Sequence, residues 1–246
     1  CAGTAGTRSM VGYLGERLDG DTVVELDFTE YDKNTQLMLD HGVDMVCAGI
    51  LFSPPEAYYK SFLPKMYEHL REKGWDRKAF IYGWDEFKPE KLAEVRQDHA
   101  WIKQFAPTFR HLIPVNHAEN LPDPDDPGIM DIWVPVLGLY SRQFADERAK
   151  HGQSVWAYIV NGSEGSFDVQ RSMDHYRSLF WNLWRRRCAG FLYYGTTFYH
   201  WAPGTADFNP DGSPKKTFLG RGGSNMDFLC YPAGARPEDG LNASVR

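Results

Sequence analysis

The 246-residue sequence predicts an α/β protein, a TIM-like (β/α)8 barrel. Three observations point there. Short runs rich in β-branched and aromatic residues recur along the chain and are almost continuously apolar, as strands covered on both faces must be. Helical apolar periodicity separates several of them, which indicates parallel βαβ units. Eight such runs fit a chain of barrel length, with a doubly wound open sheet as the alternative.

The expected strands are 22–27 (TVVELD), 43–50 (VDMVCAGI), 79–84 (AFIYGW), 111–116 (HLIPVN), 131–137 (DIWVPVL), 154–160 (SVWAYIV), 190–195 (GFLYYG) and 227–231 (DFLCY). After the second, Ser53-Pro54-Pro55-Glu56 has capping-box spacing, and Tyr59, Phe62, Leu63, Met66 and Leu70 share one helical face. Pro89 opens the next helix, with Leu92, Val95 and Ile102 on its stripe. Residues 141–151 carry a weaker helical pattern. The clearest helix spans about 168–187, where Val169, Met173, Tyr176, Phe180, Leu183 and Trp184 recur at helical spacing. Residues 117–130 and 202–226 read as loops. The chain does not begin with methionine, and no helix follows the eighth run. The expectation is therefore an excerpt of a longer protein, with 1–21 as a lead-in segment and 22–246 as a barrel lacking its last helix.

Composition excludes several classes. A net charge of −6 and a single basic cluster, Arg185-Arg186-Arg187 at an expected helix C-terminus, argue against nucleic-acid binding. The longest apolar run, 132–140, is far short of a membrane span, and no signal peptide is visible. The four cysteines, Cys1, Cys47, Cys188 and Cys230, have neither CxxC spacing nor paired histidines, so neither a disulfide framework nor a zinc site is expected. Aromatic content is high, with 8 Trp, 13 Tyr and 15 Phe. Such residues fill cores, and Trp and Tyr also present flat faces suited to sugar rings.

In a parallel barrel, functional groups collect where strands end. Tyr82-Gly83-Trp84-Asp85-Glu86-Phe87 places two adjacent carboxylates directly after an apolar strand. Within a strand they would face opposite ways, but a turn at the strand end can aim both Asp85 and Glu86 into one cleft. The bland alternative is a solvated loop start. Later strand ends add Trp133 and Tyr140, then Trp156, Tyr158, Asn161 and Glu164, then Tyr193, Tyr194, Tyr199, His200 and Trp201. A ring of aromatics around an acidic pair has the makings of a sugar-binding cleft. No phosphate-binding glycine loop, GxSxG elbow or HExxH motif is present, so no cofactor or metal is expected.

Several of these segments resemble the catalytic domain of glycoside hydrolase family 123, the β-N-acetylgalactosaminidases and their domain-of-unknown-function relatives. The similarity lies in YGWDEF at 82–87, DIWVP at 131–135, SVWAYIV at 154–160, RSLFWNLWRRRCAGFLYY at 177–194, FLCYPAG at 228–234 and the terminal NASVR. The resemblance implies a TIM-like barrel and retaining, substrate-assisted hydrolysis, in which the sugar's own 2-acetamido group is the nucleophile. It implies that Asp85 orients that group and that Glu86 is the general acid and base, starting protonated. It places substrate-binding aromatics at Trp133, Trp156, Tyr158, Tyr194 and Trp201. Tyr193-Tyr194 departs from the Tyr-Trp often found there in relatives. Relatives with such a pair carry it on strand four, whereas the runs above put it on strand three. The resemblance further implies a glycolipid or glycoprotein glycan as substrate, an N-terminal β-sandwich partner domain absent from this chain, and a secreted, periplasmic or cell-surface location. Two other readings stay open: a two-carboxylate retaining glycosidase pairing Glu86 with Glu164, and a non-catalytic glycan-binding barrel.

Overall fold

The described part of the chain starts with an antiparallel hairpin. In this computed structural model, which describes residues 14–125, 128–159, 172–193, 230–232 and 241–243, Gly15–Asp19 (β1) pairs antiparallel with Thr22–Asp27 (β2). This corrects the expectation that 22–27 is the first parallel strand. Only Val23 of β2 is fully buried, and a strand inside a helix-covered parallel sheet is buried on both faces.

The chain divides into two compact units, one of residues up to Val134 together with Asp146–Val155, the other of Pro135–Ala145 and residues from Trp156 on. Along the chain, helix α1 (Thr29–Asp40) follows the hairpin. Then come β3 (Val46–Leu51), α2 (Glu56–Glu72), β4 (Ala79–Gly83), α3 (Leu92–Phe105), β5 (Arg110–Val115), β6 (Ile132–Pro135), α4 (Arg142–Lys150) and β7 (Ser154–Val155). The strands form one parallel sheet in the order β3-β4-β5-β6-β7. Helices cross between β3 and β4, β4 and β5, and β6 and β7, as the alternation of patterns predicts. The connection from β5 to β6 is a loop with one short 3-10 turn, Ala118–Asn120.

The core lies where α2 meets the sheet. Tyr58, Tyr59, Phe62, Leu63, Met66 and Leu70 recur at helical spacing and have no solvent-accessible surface, and they cluster with Ala48, Leu51, Ala79 and Ile81 of the strands. The start of α2 differs from the capping-box expectation. The cap position is Pro55, extended at ψ 152°, and no side chain caps it. Ser53 instead takes left-handed backbone, φ 48°, so the helix begins after the two prolines. Pro89 behaves as expected, leading through the 3-10 turn Pro89–Lys91 into α3.

In the second unit, β8 (Ala157–Tyr158) pairs in parallel with β9 (Phe191–Leu192), and α5 (Met173–Arg185) lies between them in sequence. Tyr176, Leu179 and Leu183 of α5 are buried, while Phe180, Trp181 and Trp184 are exposed. The expected stripe was thus rotated: Trp184 stands about 100° round the helix from Leu183 and leaves the buried face. Cys230–Pro232 (β10) pairs antiparallel with Leu241–Ala243 (β11), not in parallel as an eighth barrel strand. The connection between them is of hairpin length, and a parallel return needs a dozen or more residues. No helix among the described residues is long and apolar enough to cross a membrane.

The α2 stripe carries a direct prediction. Phe62→Ala, which empties a fully buried position, lowers unfolding free energy by about 3–5 kcal/mol in urea titration. Leu37→Ala on the exposed face of α1 changes it by no more than about 0.5 kcal/mol.

Candidate active site

Strand β4 ends at Gly83, and the acid pair follows in a turn that carries two left-handed residues with side chains, Trp84 at φ 39° and Glu86 at φ 48°. Each such residue costs about 1–3 kcal/mol and persists only where its surroundings hold it. Here every residue from Gly83 to Phe87 is held. The Trp84 amide N–H donates to the Leu51 carbonyl at 3.2 Å, and its indole Nε1–H donates to Asp98 Oδ2 at 2.8 Å. Tyr82 Oη donates to Asp85 Oδ1 at 2.9 Å. Asn116, just past the end of β5, donates from Nδ2 to Glu86 Oε2 at 2.8 Å. Asn120 donates its amide to the Phe87 carbonyl, and the Phe87 ring is buried.

Gly83 is required by a close approach. A Cβ at this position would collide with Nε2 of His111, which is fully buried on β5. The His111 and His99 Nδ1 atoms lie 3.1 Å apart, so one ring must be protonated there and the other must accept. Burial and the neighbouring His99 hold His111 well below the ordinary histidine range, and burial also lowers His99. The pair is therefore neutral at pH 7. Behind it, Asp131 accepts the His111 amide N–H at 2.7 Å and pairs with Lys103 Nζ of α3 at 2.6 Å.

Asp85 is exposed and Glu86 half-buried, so both can meet a ligand. Beside Asp85 the Tyr82 ring packs edge-on against Phe52, which is itself exposed. The local site is thus an open aromatic-acidic corner built from the ends of β3, β4 and β5. Phe52, Tyr82, Asn116 and Asn120 were not among the expected binding residues. Position at a strand end was the available signal for each of the first three.

The expected aromatic ring is only partly described. Trp133 is almost fully buried, and its indole N–H donates to Gln153 Oε1 at 3.1 Å. Alternation puts it on the Asp131 face of β6, towards α3, where it borders a cavity of about 250 Å³ with Leu92, Arg96, Asn120 and Asp123. Trp156 is half-buried, with its indole laid on the backbone of Gly190, where a Cβ would clash. Tyr158 is buried, and its carbonyl accepts the Leu137 amide N–H. Tyr140 is buried, with Oη donating to the Arg186 carbonyl at 3.0 Å. Tyr194 and Trp201 lie outside the described residues, as do Asn161, Glu164, Tyr199 and His200. Among the described residues, no group of three or more His, Cys, Asp or Glu is placed to hold a metal ion.

Residues 53–244 match the family model for the glycoside hydrolase 123 catalytic domain. The chain belongs to glycoside hydrolase family 123. The match takes in the turn of the acid pair, β5, β6 and α5. Among solved structures, this family 123 domain is similar to a family 123 glycoside hydrolase from Clostridium perfringens, analysed for the details of glycolipid glycan hydrolysis. The TM-score is 0.62 at 17% identity, over 90% of this chain and 43% of that one. The chain thus spans less than half the length of that neighbour, and the likeness extends to the fold alone. None of the curated proteins matches it.

The Gly83–His111 contact can be measured. Gly83→Ala destabilises the family 123 domain by about 1–3 kcal/mol in denaturant titration. The cost falls in a His111→Ala background, because the two sites are in contact.

Proposed function

We propose that this chain is a glycosidase that removes terminal β-linked N-acetylgalactosamine with retention, by substrate-assisted catalysis at Asp85 and Glu86. The observation that carries the reading is an adjacent acid pair in a strained turn at a strand end, each carboxylate with its own hydrogen-bond donor. Family membership supports a glycosidase, and the glycolipid glycans named for the Clostridium perfringens neighbour point to a glycan substrate. The five-stranded parallel sheet fits part of a (β/α)8 barrel, the architecture this reading takes for the catalytic domain.

Most retaining glycosidases use one carboxylate as nucleophile and a second as acid; substrate-assisted enzymes supply the nucleophile from the sugar. In the proposed first step the acetamido carbonyl oxygen attacks the anomeric carbon while Glu86 gives its proton to the departing glycosidic oxygen. Asp85 accepts the acetamido N–H, orienting the group and stabilising the positive charge of the oxazolinium as it forms. In the second step Glu86 takes a proton from water, which attacks the same carbon and reopens the ring. Two inversions leave the anomeric configuration unchanged. Tyr82 fixes the Asp85 carboxylate and Asn116 that of Glu86. Trp156, Tyr158, Tyr194 and Trp201 are the proposed sugar-contacting aromatics; Trp133, almost fully buried with its indole N–H on Gln153, presents no open face to a sugar.

Hydrolysis of 4-nitrophenyl β-GalNAc, β-GlcNAc, β-galactoside and β-glucoside tests this. Release is expected only from the 2-acetamido sugars, with β-GalNAc preferred, and Asp85→Asn and Glu86→Gln each reduce kcat by about 10²–10⁴-fold. Equal release from the plain galactoside rejects substrate assistance.

A further inference from the structure

Asp98 is a carboxyl on the apolar stripe of α3, between Val95 and Ile102, only 3% exposed, and the proposed chemistry has no use for it. Buried carboxyls are costly and need a partner. The partner here is Trp84, the first left-handed residue of the turn. An indole offers one polar atom, so this bond is the single directional restraint the ring can make. The next residue of α3, His99, meets His111, which lies against Gly83. Consecutive residues of α3 thereby hold Trp84 directly and Gly83 through His111, immediately ahead of Asp85 and Glu86.

We infer that Asp98 is a positioning residue for the acid pair: by accepting the Trp84 indole N–H it holds the left-handed turn from which Asp85 and Glu86 project. The inference rests on the reading of those two residues as the catalytic pair. Asp98 touches no reacting atom. Its effect therefore falls on the turnover of bound sugar, since displacing a catalytic group by about 1 Å costs roughly 10²-fold.

The titratable groups around Asp98 are the Tyr59 hydroxyl from α2 and Glu94 from its own helix, with the Trp84 indole opposite. Burial lifts Asp98 to about 6, Glu94 adds to the rise, and the indole N–H and neighbouring hydroxyl oppose it. The charge on the acceptor therefore changes within a readily sampled range, and a charged acceptor binds the N–H more strongly than a neutral one.

The experiment uses the full chain with nitrogen-15 tryptophan. The Trp84 indole resonance is assigned by its loss in Trp84→Phe. It should move with a midpoint near pH 6 in the parent and be flat with pH in Asp98→Asn. With 4-nitrophenyl β-GalNAc, Asp98→Ala should lower kcat by about 10²-fold and leave KM within about threefold, while Asp98→Asn, which keeps an acceptor oxygen, recovers most of kcat. If Asp98→Ala does not fold, the Asp98→Asn titration and the kcat of Trp84→Phe decide instead, the latter expected to fall like that of Asp98→Ala. A Trp84 resonance indifferent to pH and to Asp98 substitution overturns the inference. So does a displaced resonance with unchanged kcat, or a loss confined to KM. Failure of the underlying reading looks different: Asp85→Asn and Glu86→Gln keep parental activity, or the parent cleaves none of the four glycosides, while the indole resonance still shows whether Asp98 holds the turn.

Discussion

Between Gly83 and Phe87 the backbone enters the left-handed region twice, at Trp84 and at Glu86, and each residue of that stretch is fastened by a different neighbour. Bulky side chains avoid this region because Cβ crowds the adjacent carbonyl. The turn exists because β3, β5, α3 and the short turn after β5 each contribute a partner to it. These partners differ in kind. Leu51 offers a backbone carbonyl, Asp98 a carboxylate, His111 a flat ring against a glycine, and Asn116 and Asn120 amide donors. The aim of the acid pair is thus a property of the sheet and its covering helix.

That sheet is itself braced from the α3 side. Asp131, ahead of β6, accepts from the His111 amide and from Lys103, which ties the start of β6 to β5 and both to α3. Arg110 crosses to Ser154 at the head of β7 with a 2.7 Å bond. On the other helix, the fully buried stripe of α2 presses on β3 and β4. A half-exposed ion pair such as Lys103–Asp131 adds little free energy by itself. Its use here is directional, because the carboxylate also takes the strand's N–H.

Much of this was legible in the chain. Strands 79–83 and 110–115 announce themselves as apolar runs, α2 by its stripe, and the acid pair by its place after a strand. Other features were hidden for identifiable reasons. Periodicity marks 22–27 as extended but says nothing of its partner, and the hairpin follows from pairing with β1. Trp133 sits in a strand apolar on both faces, so no polar residue within it marks which way the ring points; Asp131, two positions earlier and facing Lys103, was the available marker. Asp98 shares the spacing of Val95 and Ile102, and an acid on an apolar stripe was the sign that α3 buries a polar partner. The capping-box spacing misled because Pro54 and Pro55 move the helix start beyond Ser53.

The side chains that fasten the turn are close to it along the chain. Tyr82 is 3 residues from Asp85, Asp98 14 from Trp84, Asn116 30 from Glu86 and Asn120 33 from Phe87. Closing loops of that size costs little entropy, and local contacts form early. The acid pair can therefore reach its final geometry as soon as β4, α3 and β5 dock on β3, before the later strands have found their places. Biosynthesis from the N-terminus would then deliver a preformed acidic corner on which the remaining chain assembles.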